Sequence, residues 1–245
     1  TMMLSGVMVK MGIYGVIRWV LPIFPLAVVK FDNVIVILSV IGIIYASLIA
    51  IRQDDMKRLI AYSSIAHIGL MSAAIFSGNS SAMQGVMVQM FNHGINVIGL
   101  WIVADAIEHQ LGTRKFSELG GLAKKAPTLA ILFLVMALAN VSLPLTNSFV
   151  GEFLMFNGLF QYSIAAAAVA IISIILAAIY TLNMMQKIFY GNVSTVVEGA
   201  IDSSMSTNVA LGILVILIVL IGVYPQPMLQ LTSDTAKAVL AQIRM

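Results

Sequence analysis

The 245-residue chain is 60% hydrophobic and only 9% charged, with a formal net charge of +3 and a mean hydropathy of +1.03. That balance excludes a soluble enzyme or binding domain and places the chain among polytopic membrane proteins. The absence of cysteine removes disulfides, thiolate metal sites and a cysteine nucleophile, and the small basic excess does not imply nucleic acid.

Thr1-Met2-Met3 opens inside an apolar run with no charged n-region, which reads as a cut edge rather than a cleavable signal peptide. Seven apolar blocks follow, at about 2–21, 33–51, 59–77, 81–107, 126–160, 163–187 and 206–224. Each suits one crossing of a span of ~20 residues. Pro22 and Pro25 end the first block, Arg52 to Arg58 separates the second from the third, and Gly78-Asn79-Ser80 turns the third into the fourth. Glu108 to Lys125 and Asn192 to Asn208 are the longer polar connections, and Pro225-Gln226-Pro227 closes the last block. The expected fold is all-α: a single membrane domain over 1–245, built as a transmembrane bundle of about seven spanning helices. Residues 228–245 space Leu229, Leu231, Ala236, Val239, Leu240 and Ile243 as an amphipathic surface helix would.

Basic residues orient the bundle. Alternate connections carry Arg52, Lys57, Arg58, Arg114, Lys115, Lys124, Lys125 and Lys187 on one side, against Arg18, Lys30, Lys237 and Arg244 on the other. The richer side is expected to be cytoplasmic, with residue 1 at that face and the tail opposite. Lys124 and Lys125 read as orientation charges. The charges from Arg52 to Arg58 read as a headgroup-level turn with local ion pairs, and Arg114 has Asp105 and Glu108 as available partners.

The fifth block, Ala126 to Phe160, is charged only at Glu152. As one helix it would measure roughly 52 Å, against a hydrocarbon core of ~30 Å. Pro144, near its centre, removes a backbone donor and clashes with the preceding turn. The block therefore reads as two half-helices around an unwound segment, with Asn140, Ser142, Thr146, Asn147 and Ser148 placed to satisfy the freed backbone groups. Such a break is tolerated at membrane depth only under cover of protein or water, and it recurs at ion sites in transporters.

Four ionisable residues lie deep in four different blocks: Lys10, His67, His93 and Glu152. An isolated charge in lipid costs at least ~2.5–3.5 kcal/mol, so these residues are expected to face one another or water. Lys10 either gains and loses a proton in a desolvating site or forms a structural ion pair. Each histidine alone is equally a hydrogen-bonded core residue; two on adjoining helices favour a proton relay. Glu152 opens the second half-helix, where dipole and burial oppose each other; the alternative is a capping carboxylate. Two histidines and a distant glutamate lack the paired helical spacing of zinc or di-iron sites, so no metal is expected, and the many Met residues read as packing filler.

At Leu4–Gly15 (LSGVMVKMGIYG), Asp55–Gly69 (DMKRLIAYSSIAHIG), Gln89–Gly99 (QMFNHGINVIG), Phe149–Phe153 (FVGEF) and Gly222–Pro227 (GVYPQP) the chain resembles the antiporter-like proton-translocating subunits of respiratory complex I. Within them it is most similar to the M branch, counterpart of mitochondrial subunit 4. The motifs extend over nearly the whole chain in the family's order. The resemblance implies a C-terminal half with the second inverted repeat complete; the family's Glu–Lys pair of the first repeat falls before residue 1. It also implies that Lys10 lies on a central hydrophilic axis, His67 and His93 on the path, and Glu152 at its terminal position. Glutamate in FVGEF is informative, since related subunits commonly carry lysine there.

The expected function is proton translocation through a hydrated chain Lys10–His67–His93–Glu152, driven by NADH:quinone electron transfer in other subunits. The chain would then be a translocase subunit without redox chemistry of its own. No glycine-rich fingerprint follows a strand, so no cofactor is expected here. Expected partners are the lipid bilayer, the N-terminal half of the same subunit and the other membrane subunits of complex I, neighbouring antiporter-like ones included. The expected location is a bacterial inner membrane. Three alternatives stand beside it: a cation/proton antiporter (Mrp-type) or hydrogenase-linked pump subunit, a structural scaffold, and a seven-helix receptor with a Schiff-base lysine. The last is disfavoured because Lys10 is on the first block and the seventh has no lysine.

Overall fold

A computed structural model describes residues 2–243. Thr1, Arg244 and Met245, on which two of the topology expectations fall, lie outside the described residues, as does the side chain of Ile243. Nine helices carry the described chain: α1 (Leu4–Ile23), α2 (Pro25–Ile51), α3 (Met56–Phe76), α4 (Ser80–Leu111), α5 (Pro127–Asn140), α6 (Asn147–Tyr162), α7 (Ile164–Phe189), α8 (Met205–Val223) and α9 (Gln226–Ile243). Six of them are long and apolar enough to cross a membrane, and α5 with α6 makes the expected broken crossing.

Local chemistry sets the helix ends. Pro25 and Pro127 occupy first-turn positions of α2 and α5, where the missing N–H costs nothing. Asp55, Asn79, Ser163 and Ser204 accept backbone N–H bonds at the starts of α3, α4, α7 and α8, each satisfying an otherwise orphaned donor. Gly112, at φ 69°, ends α4 in a conformation that glycine adopts without Cβ strain. α1 carries two wide π-turns, Leu4–Met8 and Val16–Val20, flanking the α-turns around Lys10.

Two expectations about boundaries are corrected. The second crossing starts at Pro25, not near residue 33: Lys30, exposed, and Asp32, half-buried, lie within α2. Charged side chains at a helix end reach headgroup water, so they do not interrupt the helix. Pro22 does not stop α1, which ends one residue later; the turn is Phe24 alone.

α4 is the central post, the most buried of the spanning helices, with α1, α3, α5, α6, α8 and α9 against it. It meets α6 across small residues: a Cβ on Gly151 would lie 2.8 Å from the Gln89 Cβ, and one on Gly158 would lie 2.4 Å from that of Ala82. Small residues let backbones approach where lipid offers no hydrophobic drive. Two apolar cores result. One gathers Met56, Ile60, Leu100, Phe133 and Phe189 near the basic loops; the other gathers Ile43, Met71, Met83, Met155 and Leu159 towards the opposite end. Between them lies a buried polar layer holding Lys10, His93, Asn140, Asn147 and Glu152.

The basic connections meet at one end. Met56 N–H donates to the Arg114 carbonyl, Phe116 N–H to that of Asp54, and Gly121 N–H to that of Tyr190. The charges between Arg52 and Arg58 do not pair locally, as expected from sequence, but across this seam. Asp55 accepts from Arg114 at 2.6 Å, and Lys57 reaches Glu108 at 2.5 Å and Asp105 at 3.1 Å. α9 lies against the bundle, with Ala236 and Leu240 buried and the Leu229 carbonyl accepting from Gln84 at 2.7 Å.

Candidate functional site

The break runs through Val141–Thr146, with Ser142 at φ 59° and Leu145 at φ 75°. Pro144 sits between these two left-handed residues. Side chains of α4 tie together the two helix ends that flank the break. Asn92 donates to the Asn147 carbonyl at 2.7 Å, and Asn147 returns a bond to the Asn92 carbonyl at 3.3 Å. Asn96 donates to Ser148 Oγ at 2.7 Å and to the Ala139 carbonyl at 3.4 Å. Of the residues expected to serve the break, Thr146 bonds the Leu143 carbonyl at 2.7 Å. Asn140 instead reaches Ser63 and Thr181 on α3 and α7, and Ser142 Oγ is buried without a partner.

One turn past the break, Glu152 is 6% exposed. Its Oε1 lies 3.0 Å from His67 Nδ1 and accepts from Gln89 Nε2 at 3.3 Å. The His67 and His93 rings meet edge to face, centroids 4.8 Å apart. Lys10 lies further along, within electrostatic reach of His93, and its ammonium donates to the Ser5 carbonyl within the first π-turn. α1 comes close to α4 here: a Cβ on Gly94 would lie 3.2 Å from the Gly6 carbonyl.

The four residues expected from sequence therefore share one layer, but in a different order. His67, not His93, adjoins Glu152, giving Lys10, His93, His67, Glu152. His67 on α3 reaches α6, and His93 on α4 meets the His67 ring rather than the carboxylate. Arg114 pairs with Glu108 at 3.4 Å as well as with Asp55, while Asp105 is taken by Lys57.

A small cavity of about 10 Å³ lies among Ser47, His67, Glu152, Ser173 and Tyr180, roughly the room one water needs. Tyr180 hydroxyl meets Ser63 Oγ at 3.1 Å, extending the polar layer to α7. Among the described residues no group of three or more His, Cys, Asp or Glu side chains is arranged to hold a metal ion.

Sequence reasoning passed over Gln89, Asn92, Asn96 and Tyr180. For the first three a signal existed: Gln89, Asn92, His93 and Asn96 fall at i, i+3, i+4 and i+7, one polar stripe on an otherwise apolar helix. Tyr180 carried none, since its burial depends on where α7 packs.

Fold and site together define a helical membrane protein with an interrupted helix and ionisable groups facing one another at depth. Residues 1–178 match the family described as NADH:quinone oxidoreductase/Mrp antiporter, transmembrane, and the chain belongs to it. It is 36% identical to NADH-quinone oxidoreductase subunit M of Rickettsia prowazekii (strain Madrid E) over 94% of its own length and 47% of that protein. It superposes with a TM-score of 0.90 on a chain of respiratory complex I from Thermus thermophilus, at 28% identity, covering 96% of itself and 50% of that chain. It shares its fold with a chain of the Mrp complex from Dietzia sp. DQ12-45-1b, at a TM-score of 0.87 and 19% identity, covering 99% of itself and 54% of that chain. The chain thus spans about half the length of the curated relatives it matches.

Proposed function

We propose that the chain is the second-repeat portion of a proton-translocating subunit of respiratory complex I, a single membrane domain that moves protons along Lys10, His93, His67 and Glu152. The observation that carries this is the contact of His67 with both Glu152 and His93, inside a buried polar layer beside an interrupted helix. Histidine accepts a proton on one ring nitrogen and releases one from the other. Glu152 takes the proton from His67 Nδ1 along the 3.0 Å contact. Two unit charges about 5 Å apart repel by about 3.5 kcal/mol at an effective dielectric of about 20. The two imidazoles therefore hold at most one proton beyond the one each keeps when neutral, and arrival at His93 drives departure from His67. A charge on Lys10 biases the same step.

In this reading the chain is a translocase subunit in a bacterial inner membrane, energised by quinone-linked electron transfer elsewhere in the assembly. Its neighbours are the N-terminal half of the same subunit and other membrane subunits, antiporter-like ones among them. With the basic seam taken as the cytoplasmic side, the start of α1 belongs to that side and α9 to the opposite one. Sealed vesicles containing the assembled complex test it. Proton uptake should follow NADH oxidation and be indifferent to sodium; sodium-dependent proton movement without NADH would assign the chain to an Mrp-type antiporter instead.

A further inference from the structure

Gln89 is fully buried, at 0% exposure, and only half of its amide is used. Its Nε2 donates to Glu152 Oε1 at 3.3 Å, the same oxygen that faces His67. Its Oε1 has no hydrogen-bond partner. A buried carbonyl without a donor is costly and calls for an explanation. The amide is also held closely: a Cβ on Gly151 would lie 2.5 Å from Gln89 Oε1, so the glycine preceding Glu152 leaves the space that the amide fills. The two ends of a carboxamide differ little in size. A half-turn about its last bond exchanges donor for acceptor within the same volume.

We propose that Gln89 is a positioning residue that follows the protonation state of Glu152 by turning its amide. This rests on the proton-carrying role of Glu152 proposed above. While Glu152 is a carboxylate, Gln89 donates N–H to it. When His67 passes a proton from Nδ1, Glu152 becomes a neutral acid with one O–H, and His67 Nδ1 keeps a lone pair that could draw the proton back. The turned amide then presents Oε1 as a competing acceptor. No covalent bond changes at Gln89; an N–H···O bond is exchanged for an O–H···O bond. The proton on Glu152 points away from His67, and back-transfer is opposed. The other titratable groups facing this spot are His67 from α3, His93 from α4 and Tyr180 from α7, with Lys10 from α1 beyond His93; none supplies an acceptor on the side that Gln89 occupies.

The test is an acid-minus-neutral infrared difference spectrum of the full-length subunit in its native membrane assembly, without turnover. The glutamine side-chain carbonyl carries carbon-13. A protonated-carboxyl band that vanishes in Glu152→Gln should appear together with an isotope-sensitive glutamine band. In Gln89→Met, which is similar in length but neither donates nor accepts there, the glutamine band should be lost and the Glu152 band should move to higher frequency. A Glu152 band with no glutamine partner in the unsubstituted protein, or one unmoved in Gln89→Met, overturns the inference while leaving proton transport by Glu152 standing. Both bands present with undiminished pumping in Glu152→Gln overturns the transport reading alone. The spectrum of the unsubstituted protein decides the matter even if Gln89→Met does not assemble.

Discussion

Asn92 and Asn147 each donate a side-chain N–H to the other's backbone carbonyl, at 2.7 Å and 3.3 Å, across the interface of α4 and α6. This reciprocal pair fixes the point where the second half-helix begins, five residues before Glu152. Helix geometry carries that placement on to the carboxylate, so the position of Glu152 depends on an amide that never touches it.

Side-chain hydrogen bonds between membrane helices average only ~0.6 kcal/mol, because the loosened state finds other partners. Here both amides are fully buried, and each is held by one specific carbonyl, that of Asn147 in the first turn of α6 or that of Asn92 within α4. Asn92→Ala should therefore cost about 1–3 kcal/mol, read as a lowered thermal midpoint of the purified protein. Asn92→Ala removes one of the two bonds and Asn147→Ala the other, since both acceptors are backbone carbonyls; because each bond holds the same helix pair in register for the other, the double variant should cost less than the sum of the two. Additive costs would show that the amides act separately.

Gly222 of α8 seals the break from outside. A Cβ there would lie 2.2 Å from the Leu145 carbonyl oxygen and 2.6 Å from the Thr146 carbonyl carbon. Both are backbone atoms beside the left-handed Leu145 and cannot swing aside. Gly222→Ala should destabilise by about 1–3 kcal/mol. Gly212→Ala, on the same helix with nothing within 4 Å, should change stability by about 0.5 kcal/mol or less. Equal thermal midpoints for the two variants would contradict this packing.

Asp202 caps α5 from the connection before α8. It accepts N–H bonds from Thr128 at 3.0 Å and Leu129 at 3.2 Å, and from Ser203 at 2.8 Å. Burial pushes its carboxyl up, but these hydrogen bonds outweigh burial and hold it below the usual carboxylate range. A carboxyl depressed in the folded state contributes stability above its unfolded pKa, about 3.9, and loses it as pH falls through the folded value. Asp202→Ala should thus cost about 1 kcal/mol at neutral pH, with the gap to the unsubstituted protein closing below about pH 4. Thermal melts at the two pH values check it; a gap that persists in acid would mean the carboxylate is not the cap.

The crossings, the break at Pro144 and the four deep ionisable residues were legible because each is a local departure from an apolar background. Lys10 or Glu152 in a hydrophobic run needs no tertiary knowledge to stand out. The order of the relay was not legible. His67 and His93 differ in which neighbour they face, and that follows from the rotation of α3 and α4 set by Gly69, Gly94 and Gly151, whose close contacts lie on other helices. The seam joining Asp54 and Asp55 to residues 114–117 escaped for the same reason: its partners are about 60 positions away, while sequence reading pairs neighbours. The start of α2 at Pro25 was readable from the proline alone and was hidden by the charges at Lys30 and Asp32.

The central claim is that Glu152 carries the proton, and its most direct measurement is proton uptake per NADH oxidised by sealed vesicles of the assembled complex bearing Glu152→Gln. Glutamine keeps the shape and the hydrogen-bonding capacity towards His67 and Gln89 but cannot bind and release a proton. Uptake should fall about tenfold or more, with the thermal midpoint unchanged and Glu152→Asp retaining part of the activity. Undiminished uptake in Glu152→Gln would contradict the account.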